Sequence, residues 1–89
     1  MKKTEFLSAV QTLQSMALAG ELPGVGCIET NVQFVPEVGL TCHVFVHPRG
    51  ETEKDDILYV SVIHDGDEVL EDYTRIRQYI AELNERAGL

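Results

Sequence analysis

The side chains best suited to chemistry are Cys27 and Cys42, the histidines His43, His47 and His64, Ser61, and the acidic run Asp65, Asp67, Glu68, Glu71 and Asp72. Cysteine and histidine suggest a transition metal first. Cys42 and His43 are adjacent on an apolar, β-branched segment, so as strand residues they point to opposite faces. His43 and His47 share a face but stand about 13 Å apart at strand rise. Zinc ligands each lie about 2 Å from the ion, so these two do not share one. The acidic run has neither the loop pattern nor the distal glutamate of a calcium hand. Acids at the start of a helix are favoured by its dipole without any ion. No metal and no cofactor are expected.

Ser61 and His43 are the pair closest to nucleophilic chemistry. A hairpin register that pairs their strands places them opposite each other, with Gln33 as a flanking group. Such a pair is necessary for acyl transfer but not sufficient. No glycine-rich turn near Ser61 offers an oxyanion hole, and no Gly-x-Ser-x-Gly elbow occurs. Cys27 follows Gly24-Val25-Gly26, with no base nearby in sequence to lower its pKa. Gly24 and Gly26 lack the strand–loop–helix order of a nucleotide site. No catalytic residue is assigned, and an enzyme using Ser61 and His43 stands third among the readings.

Periodicity gives the secondary structure that carries these residues. Phe6, Val10, Leu13 and Ala17 recur at helical spacing over residues 4–19, with Thr4 as the expected N-cap and Gly20 at the left-handed stop. Ile28, Thr30, Val32 and Phe34 alternate with polar residues, giving a half-buried strand over 27–35. A turn at 36–39 leads to a strand at 40–47. A charged segment, 51–56, separates this from a third strand at 57–64, which is rich in β-branched and aromatic residues. Val69, Tyr73, Ile76, Ile80, Leu83 and Ala87 mark a second helix over 67–86. Asp65 and Glu68 have capping-box spacing before it, and Glu71–Arg75 and Glu82–Arg86 are expected i,i+4 pairs.

Sequence neighbours joined by short connections become neighbours in space. The expected fold is α+β in the order α-β-β-β-α: a three-stranded antiparallel meander with strand two central. The 89 residues form a single domain, 1–89. Each helix carries one apolar stripe, so both pack on one sheet face. The inward set is Ile28, Thr30, Val32, Phe34, Cys42, Val44, Val46, Leu58, Val60 and Val62. The other face then carries Glu29, Asn31 and Gln33, then His43, Phe45 and His47, then Ile57, Tyr59, Ser61 and Ile63. Aromatic and aliphatic bulk without a helix over it marks an interaction surface.

The formal net charge of −8 opposes nucleic acid, whose phosphates demand Lys and Arg, and opposes anionic membranes. Nearly all of the excess falls in residues 51–89. The apolar run near the amino end, Phe6–Val10, is shorter than a secretory core requires. A cytoplasmic protein with reduced thiols is expected. The function expected is a small acidic, non-enzymatic protein-binding module of inhibitor, immunity, chaperone or adaptor type. Its contact residues are Phe45, Tyr59, His43, His47, Ile57 and Ser61, and its partner is another protein or a second copy of the chain. The alternative of a different class is an acidic mimic of nucleic acid that blocks a basic site on its target.

Overall fold

The computed structural model describes residues 1–50 and 56–88. Two helices, α1 (Lys3–Leu18) and α2 (Asp67–Ala87), flank three strands, β1 (Val25–Val35), β2 (Gly39–Pro48) and β3 (Leu58–Val62). The strands form one antiparallel sheet in the order β1-β2-β3. This is the α+β meander expected from the sequence, with β2 central. Most of the charged segment at 51–56 lies outside the described residues, which resume at Asp56.

Both helices lie on one face. Phe6 and Val10 of α1 join Val69, Ile76, Ile80 and Leu83 of α2 in one buried cluster. The sheet contributes Val25, Ile28, Cys42, Val44, Val46, Val60 and Val62 to the same cluster. The Phe6 and Tyr73 rings meet edge-on, 6.4 Å between centroids, where the helices cross the sheet. Among the described residues, no helix is long and apolar enough to cross a membrane.

The caps differ from the expected ones. Thr4 lies inside α1, whose N-cap is Lys2; the Lys2 N–H donates to Glu5 Oε1 at 3.1 Å. Asp65 serves α1 instead of α2, accepting the Lys3 N–H at 2.8 Å. The reason is geometric. The chain leaves β3 beside the start of α1, where Met1 and Gly66 exchange backbone hydrogen bonds and Lys3 Nζ donates to the Ile63 carbonyl at 3.0 Å. The N-cap of α2 is Gly66, with φ +138° and no side-chain cap. Gly20 takes the left-handed φ of +75° expected after α1. On α2, Arg75 pairs with Asp72 at 3.5 Å where Glu71 was expected; Glu82 and Arg86 pair as expected, at 4.0 Å.

Two glycines before and inside β1 set the geometry of the site. A Cβ on Gly24 would stand 2.1 Å from the Leu83 carbonyl oxygen, so β1 starts in direct backbone contact with the end of α2. Asn84 accepts the Gly24 N–H at 2.9 Å and fixes that contact. Gly26 occupies a register irregularity between Val25 and Cys27, and a Cβ there would stand 2.8 Å from the Pro48 carbonyl oxygen. An extra residue in one strand reverses the facing of the residues after it. Val25 is buried on the helix side, whereas Cys27, two residues later, is exposed and opposite His47.

The inward set needs one correction. Strand β3 pairs only with Cys42–Val46, while β1 and β2 continue pairing out to Val35 and Gly39. The hairpin therefore overhangs, and its helix-side residues Val32 and Phe34 are 43% and 76% exposed. β3 is also shorter than expected, leaving Ile57 in the preceding bend and Ile63 and His64 beyond its end.

Candidate functional site

The outward face is built in rows by the strand register. Cys27 pairs with His47; Glu29, Phe45 and Tyr59 form the next row; Asn31, His43 and Ser61 the next; and Gln33 pairs with Thr41 beyond it. The core cluster draws its sheet residues from the other face, so among the described residues neither helix covers these rows.

The centre of the face is aromatic. Phe45 and Tyr59 are cross-strand partners with ring centroids 4.8 Å apart and planes inclined by 29°. His43 lies diagonally next to Tyr59, its ring nearly parallel at 3° and 6.1 Å away. His43 Nδ1 and the Tyr59 hydroxyl share a hydrogen bond of 2.8 Å. Aromatic pairs of this separation add about 0.5–1.5 kcal/mol beyond burial. The three rings therefore support one another. Tyr59 is nonetheless 48% exposed and Ile63, beyond the strand end, 41%.

The six residues singled out from the sequence divide into groups. His43, Phe45, Tyr59 and Ser61 share this aromatic centre or its edge, with His43 against the Tyr59 ring. Ile57 is half-buried in the bend before β3. His47 lies at the end of the same face, opposite Cys27. Ser61 does face His43, as the hairpin register requires, but the His43 Nδ1 atom is engaged by Tyr59. The other neighbour of His43 is Asn31, not Gln33, which pairs with Thr41 one row further on.

At the His47 end the structure assembles a group that periodicity does not reveal. Cys27, Glu29 and His47 each present a donor atom, and the three atoms lie within 4.8 Å of one another. His47 Nε2 is 2.7 Å from Glu29 Oε1. The same Nε2 is sealed from solvent and has no aligned hydrogen-bond partner, so the approach to Glu29 is close without being directional. Burial, and secondarily the Glu29 charge, push the Cys27 thiol above its usual pKa. The signal present in the sequence is Cys-x-Glu on one strand with a histidine near the end of the strand that pairs with it. Alternation puts Cys27 on the side of Glu29, but only the β1–β2 register sets His47 opposite it. Cys42, by contrast, is fully buried on the helix side.

Comparison with known proteins finds no family model, no curated protein and no solved structure that matches this chain.

Proposed function

We propose that the protein is a small, acidic, non-enzymatic binding module that engages another protein through its outward sheet face. The observation that carries this reading is the Phe45–Tyr59 stack, joined by His43 on a face that neither helix covers. Large rings with a polar tip dominate binding energetics where they insert into a partner's pocket. Rings already fixed by their neighbours lose less side-chain entropy on association. Ile63 extends the apolar area, Ser61 and Asn31 supply polar edges, and Ile57 flanks it.

Charge narrows the occupant. The chain carries −8 overall, and Asp65, Asp67, Glu68 and Glu71, which follow β3 in the chain, are exposed. The partner this fits has an apolar centre and a basic rim; a second copy brings the same acids together and is the weaker fit. We place the protein among small binding proteins of inhibitor, immunity, chaperone or adaptor type, in the cytoplasm with both thiols reduced. The nucleic-acid mimic has less support. Its acidic run, Asp65 to Asp72, is interrupted by buried Val69, and Asp65 is turned to the Lys3 N–H at the start of α1.

The experiment is affinity capture from the native host, with the wild type beside Phe45→Ala/Tyr59→Ala and with light scattering of the purified chain. The expected result is a discrete partner lost in the double variant, whose circular dichroism stays native. A partner retained by the double variant, or a double variant that unfolds, overturns the reading. A wild type that dimerises through these rings replaces the foreign partner with a second copy.

A further inference from the structure

We infer that Cys27, Glu29 and His47 form a binding site for a single zinc-type divalent metal ion at the end of the outward sheet face. The donor set comes first. A thiol, an imidazole and a carboxylate are the three side-chain types that bind zinc. A thiolate disfavours magnesium and calcium, which take oxygen donors.

Geometry is the second support. Cys27 and Glu29 are two residues apart on β1 and project to one side, while His47 is the cross-strand partner of Cys27 on β2. The sheet alone therefore sets three donors on one triangle, with no loop to be organised. A tetrahedral zinc ion holds its donors about 3.3–3.6 Å apart at ordinary bond lengths. The three donor atoms here already fall within 4.8 Å of one another. The 2.7 Å between His47 Nε2 and Glu29 Oε1 must open slightly, which costs little because the Glu29 side chain is 62% exposed.

The third support is the state of His47. Its Nε2 is closed off from water and lacks an aligned partner. Glu29 Oε1 stands 2.7 Å away but off the line of a hydrogen bond, and a metal ion at the centre of the triangle gives Nε2 a directional bond. Cys27 and Glu29 both face solvent, so the fourth coordination position opens outward to water or another exogenous donor. Three protein ligands and one open position is the coordination of an accessible zinc site, not of a closed structural one.

The β1–β2 register is the structural requirement of the site. Cys27 alternates regularly with buried Ile28 and so faces outward with Glu29, while the Gly26 irregularity returns Val25 to the core side. The site is separate from the aromatic contact. Glu29 stands opposite Phe45 in the register, but Tyr59 and His43 contribute no donor.

The test uses the full chain, reduced with a non-thiol reductant and stripped with chelator. Cobalt(II) is added as a spectroscopic probe and zinc(II) is titrated against a chromophoric chelator. The expected result is one ion per chain and a thiolate-to-cobalt charge-transfer band that zinc abolishes. Cys27→Ser should eliminate the band. Cys27→Ser, Glu29→Gln and His47→Ala should each weaken zinc binding. For a lost direct ligand the loss should exceed the roughly 10–100-fold typical of outer-shell changes. His43→Ala should change none of this. Should the variants fold poorly, the wild type still decides: zinc should protect Cys27 from alkylation, read by peptide mass spectrometry. A missing cobalt–thiolate band, or Cys27 alkylation indifferent to zinc, overturns the site.

Discussion

Cys27 and Cys42 show how far surroundings govern a residue. Cys42 points between the helices and the sheet, is fully buried, and has its thiol pushed above the ordinary pKa by that burial alone. Cys27 sits across the sheet in the open. Reaction of a thiol requires both access and the thiolate. In the native protein a disulfide reagent should therefore label Cys27 first. Cys42 should react only as the fold opens, and a denaturant should bring both to equal rates. Mass spectrometry of the labelled protein against time checks this. Equal labelling in the native state would show that the core around Cys42 is not closed. Composition alone shows that two cysteines make no disulfide framework, and alternation puts Cys42 inward. Neither reveals that Cys27 shares a corner with Glu29 and His47. That depends on the β1–β2 register, which sets His47 opposite Cys27 and which the pattern within one strand does not record.

At the scale of elements, local pattern is sufficient where one apolar stripe meets one apolar face. The stripe of α2 and the alternation of β2 and β3 yield their buried residues directly, because those positions face the core throughout. Local pattern fails where an element is finished by a distant one. Asp65 has the spacing to cap α2, yet it accepts the Lys3 N–H because the β3–α2 connection passes the start of α1. A side-chain cap of this kind stabilises a helix by about 1 kcal/mol. Asp65→Ala should lower stability to urea by about that amount. In a chain lacking residues 1–3 the same substitution should cost far less, since its acceptor role has gone. Were Asp65 a cap for α2 after all, the two changes would simply add, and a double-mutant cycle distinguishes the cases.

The whole molecule is elongated, 45 by 22 by 22 Å, because the β1–β2 hairpin runs past the end of β3. Strand alternation correctly puts Val32 and Phe34 on the helix side, but alternation states a direction and not whether anything lies there. Phe34 is aromatic, sits in a regular strand, and is still 76% exposed, whereas Phe6 is fully buried. Energy depends on cover and not on residue type. Phe6→Ala should cost about 3–5 kcal/mol, as loss of a core ring does, while Phe34→Ser should fall within about 0.5 kcal/mol of the wild type. The same contrast should appear in hydrogen exchange. Amides of β2 between Cys42 and Val46, flanked by strands on both sides and by the helices on one face, should exchange only through global unfolding. Those from Gln33 to Leu40 should exchange by local opening of the overhang, since few buried contacts resist it. Protection in the overhang equal to that of the central strand would mean that the hairpin tip is covered in solution. A concentration dependence of that protection would show the cover to be another molecule of the same chain, seated on Phe34 and Val32.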